Sequence, residues 1–241
     1  MQYDLKGLVI RTGIGEEKLR KEIEVMQALQ DLFIVLGNSS QKVALFGGTA
    51  LNKIYYGERQ RLSYDIDIES YSLKSTKKVL SEICNRTVES PKAARFVYKN
   101  VIVDLMKAHN IEEPQLKKAY SLLSMFGYPI ASVAVPSYSL EYLLAKKTMA
   151  ILSRTLNKDI YDMWVGMQLI KDKGMYVEYA RKLAELEKVN MEYLIGVMLH
   201  HIKAGSVHDK DTEIIDVMKR MQTAPLAKDV ALWLERTFIN H

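Results

Sequence analysis

Apolar side chains recur at three- and four-residue intervals through EEKLRKEIEVMQALQDLFIVL (16–36), at Leu19, Ile23, Met26, Leu29 and Leu32–Phe33. That spacing predicts an amphipathic helix, with Gly37-Asn38 as its stop. KVALF (42–46) is short, apolar and followed by glycines, and predicts a buried strand. TALNKIYYG (49–57) predicts a helix starting at Thr49 and ended by Gly57. YDIDIES then alternates strictly, with Ile66 and Ile68 facing one way and Asp65, Asp67 and Glu69 the other. KSTKKVLSEICNR (74–86) has the pattern of an amphipathic helix. ARFVY (94–98) and VIVDLMK (101–107) predict two strands around a hairpin turn at Lys99-Asn100. EPQLKKAYSLLSMF (113–126) predicts a helix and IASVAV (130–135) the last strand.

From Pro136 the strand patterns vanish. Helical patterns follow one another at roughly 138–155, 158–172, 175–188, 190–204, 209–222 and 226–239. The expected fold is therefore α+β: a mixed-sheet domain over 1–136, followed by a helical bundle over 137–241.

Composition narrows this picture. Of 241 residues, 48% are apolar, enough for a real core. Cys84 is the single cysteine, which excludes an intramolecular disulfide framework and a cysteine-rich zinc site and fits a reducing, cytoplasmic setting. The opening MQYDLKGLVI lacks a signal-peptide pattern, and no apolar run is long enough to span a bilayer, so no membrane association is expected. A formal charge of +5 is compatible with a polyanionic partner. The five histidines form no ligand spacing; His200 and His201 point to different sides of a helix.

The chemistry lies in the carboxylates. Aspartate is disfavoured in strands, yet Asp65 and Asp67 share one strand face, close enough to bind one cation. Two desolvated carboxylates repel, and hard oxygen donors favour Mg2+ or Mn2+. Asp104, in a second strand, adds a third ligand if the strands are neighbours. Three such carboxylates suit two-metal nucleotidyl transfer, with Asp104 as the local base. Gly47-Gly48 would let the backbone approach a triphosphate, and the helix from Thr49 would point its amides at it. Strand, Gly-Gly, helix, loop and Asp-x-Asp strand is the N-terminal order of nucleotidyltransferases of the DNA polymerase beta type.

FGGTALNKIYYGERQRLSYDIDI (46–68) resembles the signature of the AbiEii/AbiGii nucleotidyltransferase toxins, in which FGGTAL leads through a helix to Arg-x-Ser-x-Asp-Ile-Asp, here Arg61, Ser63, Asp65, Ile66 and Asp67. VPSYSLEYLLAKKTMAILSRTLNKDIYDMW (135–164) resembles the family's second block. Lys147 and Arg154 match its helix lysine and arginine, and Lys158, Asp159 and Asp162 its basic-Asp-x-x-Asp run. The chain departs from the pattern at Tyr64 and Lys146, where the family often has acidic residues.

The resemblance implies a metal-dependent enzyme using an NTP donor. Its catalytic residues would be Asp65, Asp67, Asp104, Lys147 and Asp159, and its nucleotide contacts Gly47, Gly48, Thr49, Arg61, Ser63, Lys147, Arg154 and Asp162. Seven residues apart, Lys147 and Arg154 share a helix face from which they would reach a triphosphate, with Asp159 orienting them and Asp162 bracing it. Lys53 and Lys158 read as weaker, solvated candidates. The family also implies a toxin with a cognate antitoxin, and tRNA as the leading acceptor; Arg59, Arg61, Lys74, Lys77, Lys78 and the Lys-rich helices after residue 170 are then candidate phosphate contacts. A small-molecule, antibiotic-type transferase and a catalytically idle nucleotide-binding module are the rival readings.

Overall fold

A computed structural model describes residues 5–154, 156–203 and 227–239. Its contacts divide the chain into two compact units, one ending at Tyr138 and the other starting at Ser139.

The first unit opens with α1 (Leu5–Thr12) and α2 (Glu16–Asn38). The apolar stripe seen in the sequence buries Leu19, Met26, Leu29, Leu32 and Phe33. β1 (Val43–Phe46) runs into a short helix α3 (Gly47–Ala50), which continues as a π-helical turn over Leu51–Tyr55. The helix thus begins two residues earlier than the sequence indicated. β2 (Asp65–Ser70) leads to α4 (Leu73–Ile83), followed by β3 (Asn85–Glu89), β4 (Ala93–Tyr98) and β5 (Val101–Lys107). The helix expected to run to 86 therefore stops at Ile83, and its tail is an edge strand. The helix expected over 113–126 is instead β6 (Gln115–Ala119) followed by the single turn α5 (Leu122–Met125). β7 (Val133–Ser137) closes the unit.

The seven strands form one sheet in the order β3-β4-β5-β2-β1-β7-β6. The β2/β5 and β1/β7 pairs are parallel and the others antiparallel. Period-2 alternation buries Ile66 and Ile68 of β2, Val103 and Leu105 of β5, and Ala94 and Phe96 of β4. It leaves Asp65, Asp67 and Asp104 on the opposite face. α2 and α4 pack against the sheet. Leu8, Ile14, Leu19, Leu62, Leu122 and Leu123 gather into a core cluster that ties α1, α2 and α5 to the loop before β2.

In the second unit, the described helices are α6 (Leu140–Arg154), α7 (Asn157–Leu169), α8 (Lys173–Glu187), α9 (Met191–Lys203) and α10 (Ala227–Phe238). The helix expected at 209–222 lies outside the described residues. α6 and α7 approach closely at Gly166, where a Cβ would sit 2.2 Å from Leu144 Cδ2. No helix among the described residues is long and apolar enough to cross a membrane.

Candidate functional site

The carboxylate face is built by strand register. β1 pairs antiparallel with β2 so that Phe46 faces Asp67, and β2 pairs parallel with β5 so that Asp67 faces Asp104. Asp65 lies two residues earlier on the same face of β2, opposite Ile102. All three aspartates are half-buried.

Gly47 follows Phe46 directly and is therefore brought against Asp67. A Cβ at Gly47 would lie 2.0 Å from Asp67 Oδ2, and its φ of +71° belongs to the left-handed region. Both facts require glycine at this position.

The loop before β2 is held by hydrogen bonds from buried side chains. Asn52 Nδ2 donates to the Gly48 carbonyl at 2.8 Å, and its Oδ1 accepts from the Arg61 amide at 2.8 Å. Thr49 Oγ1 lies 2.5 Å from the Asp65 carbonyl and 2.9 Å from Ser63 Oγ, which donates to Asp65 Oδ1 at 3.3 Å. Gly48, Thr49, Arg61 and Ser63 are all buried. Arg61, a candidate phosphate contact by sequence, is thus buried, and its Nη1 donates to the Leu62 carbonyl at 3.1 Å. Its visible work is to shape the segment that delivers Asp65.

Lys53 also departs from the solvated reading. It is buried and forms an ion pair with Glu22 of α2, while Ser121 Oγ donates to the same carboxylate at 2.8 Å. A cation this deep is retained because its partner is equally buried. At the far end of the carboxylate row, Glu69 is sealed in and accepts from the Tyr138 hydroxyl at 2.8 Å. Burial and the Glu69 charge push the Tyr138 phenol far up, which keeps it a donor.

Sequence reasoning missed Arg95. It stands opposite Asp104 across the β4/β5 pair and clamps both carboxylate oxygens, Nε to Oδ1 at 2.7 Å and Nη2 to Oδ2 at 2.8 Å. The signal was present: a two-residue turn at Lys99-Asn100 pairs Tyr98 with Val101, and counting back from it places Arg95 on Asp104. Among the described residues, no group of three or more His, Cys, Asp or Glu side chains is drawn together tightly enough to hold a metal ion.

The second unit carries its own charged cluster. Lys147 Nζ lies 2.9 Å from Asp159 Oδ1 and 2.9 Å from Asp162 Oδ2. Arg154 adds a fork to Asp159, Nε at 2.7 Å and Nη2 at 3.1 Å. Lys147, Asp159 and Asp162 are buried, whereas Arg154 is half-exposed. Burial alone would push the Asp159 carboxyl up; Lys147 and Arg154 overcome it and hold the group down at about 2. Helix spacing explains the gathering, since Lys147 and Arg154 lie two turns apart on α6 and Asp159 and Asp162 one turn apart on α7. Lys158 is partly exposed, and Lys146 lies over the Tyr142 ring at 5.7 Å.

A family model described as "Nucleotidyl transferase AbiEii toxin, Type IV TA system" matches residues 27–223. Among solved structures, the chain resembles MenT4, a nucleotidyltransferase toxin of Mycobacterium tuberculosis H37Rv. The TM-score is 0.57 at 16% identity, over 97% of this chain and 88% of that one. It also resembles the antibiotic-resistance factor ANT(2'')-Ia, with a TM-score of 0.50 at 13% identity over 68% of this chain and 96% of that one. At these identities, both likenesses are of fold. No curated protein matches the chain in sequence.

Proposed function

The chain belongs to the AbiEii nucleotidyltransferase toxin family, and from that premise we propose that it transfers a nucleotide from an NTP to tRNA, with a divalent cation held by Asp65, Asp67 and Asp104. The observation carrying this reading is the registered pair Asp67–Asp104, with Asp65 on the same face and Gly47 directly against Asp67. The chemistry of the donor set fits the group: three hard carboxylates on one sheet face suit Mg2+ or Mn2+, and the face already pairs a positive group, Arg95, with Asp104. When bound, the cation supplies Lewis-acid stabilisation of phosphoryl oxygens.

The chain's own residues do the rest. The backbone at Gly47, Gly48 and Thr49 receives the triphosphate. Ser63 and Arg61 fix the segment that presents Asp65. Asp104 takes the proton of the acceptor hydroxyl as its oxygen bonds to the α-phosphorus and pyrophosphate leaves. In the second unit, the half-exposed Arg154 serves as a phosphate fork, with the buried Lys147–Asp159–Asp162 set as its support.

For the acceptor, support comes from a charge of +5 together with exposed Lys74 and Lys78 on α4. An antitoxin made with the chain restrains it, as the family's toxin–antitoxin setting implies. Incubation with each labelled NTP, with and without total RNA, tests the reading. Label migrating with tRNA supports it. Label only on small hydroxylated molecules would move the activity to an antibiotic-type transferase.

A further inference from the structure

The carboxylate face already holds a cation, and it is a side chain. Arg95 makes a bidentate pair with Asp104. Its hydrogen bonds to Asp104 come first, then the Asp104 charge and, more weakly, those of Asp65 and Asp67; together they raise the guanidinium's hold on its proton. Unlike Arg61 or Lys147, it is not locked by burial: its side chain is 51% exposed, against 24% for Asp104. It can leave Asp104 without opening a cavity or stranding a buried charge.

We propose that Arg95 is a positioning residue that occupies Asp104 until a divalent cation displaces it, so that cation loading competes with this ion pair. This rests on the reading of Asp65, Asp67 and Asp104 as the cation site. Arg95 engages both oxygens of Asp104, so a divalent cation approaching them meets the guanidinium charge and is favoured only as Arg95 gives way. The pair offsets part of the repulsion between Asp104 and its neighbours before loading and leaves that between Asp65 and Asp67. It also raises the cation concentration needed to load the site. A released guanidinium is a planar phosphate fork, so a bound triphosphate would take up Arg95 as the cation takes Asp104. Binding of the two ligands is then positively coupled.

The test is a Mn2+ titration without nucleotide, with free ion followed by electron paramagnetic resonance. It compares the wild type with Arg95→Ala, Arg95→Gln, Arg95→Lys and Asp67→Asn, each checked for a native melting curve. A partly exposed bidentate pair is worth little in water, so removing it should tighten Mn2+ binding roughly fivefold. Arg95→Ala and Arg95→Gln should both show this gain, and Arg95→Lys should fall between them and the wild type. Asp67→Asn should lose the site. Equal or weaker binding in Arg95→Ala and Arg95→Gln, with Asp67→Asn still defective, would overturn the role of Arg95 and leave the cation site standing. No binding sensitive to Asp67→Asn in any protein would overturn the cation site, and the inference with it.

Discussion

Gly47 makes the most exposed claim at the level of single residues. Its backbone is left-handed and its missing side chain is replaced by the Asp67 carboxylate. Gly47→Ala should therefore destabilise the fold by about 1–3 kcal/mol and displace Asp67. Thermal melting should show the loss, and transfer should fall further than stability does. Asp65→Asn and Asp67→Asn should each abolish transfer while melting at the wild-type temperature or above, because like-charge repulsion is relieved. Near-normal turnover by either would remove the carboxylates from the chemistry.

Asp159 predicts a pH dependence. Its folded pKa is depressed to about 2, so its stabilising contribution is fully present above the unfolded value of roughly 4 and is lost as pH falls toward about 2. Acid unfolding of Asp159→Asn should show a weaker pH dependence across that window, starting from lower stability at neutral pH. Asp65, Asp67 and Gly47-Gly48 were legible in the sequence because short-range alternation and spacing carry them. The Glu22–Lys53 pair was not, since its partners lie 31 residues apart and only tertiary packing joins them.

Among the elements, α6 and α7 were readable from helical spacing, and the residues that meet between them were marked by the resemblance of the second block. Lys147→Ala would leave Asp159 and Asp162 buried with one cation fewer, a loss on the order of 3–5 kcal/mol. Lys146→Ala, a partly exposed change on another side of α6, should stay within about 0.5 kcal/mol. Chemical denaturation of the two variants separates them, and comparable losses would contradict the register of the second block. The misread elements are the sheet's two edges. β3 is exposed along its whole length, so no buried face marked it as a strand. β6 presents Leu116 at 75% exposure, and its strand form comes from pairing with β7, a partner that helix-like local spacing cannot reveal. The central strands β1, β2, β4 and β5 were legible because each buries one face or both.

For the whole molecule, the mixed sheet followed by helices was evident from the change of pattern at Pro136. The acceptor is a matter of long-range charge. With roughly four to six phosphate contacts to a folded RNA, binding by the inactive Asp67→Asn protein should fall by orders of magnitude across a few-fold rise in salt. A flat dependence would favour a small acceptor. The function proposed for the molecule rests on nucleotidyl transfer at the face of Asp65, Asp67 and Asp104. It is tested most directly by following an α-phosphate-labelled NTP incubated with total RNA and Mg2+, using wild-type protein beside Asp67→Asn. Wild-type protein should label tRNA and the variant should not; equal labelling by both would remove the transfer from this face.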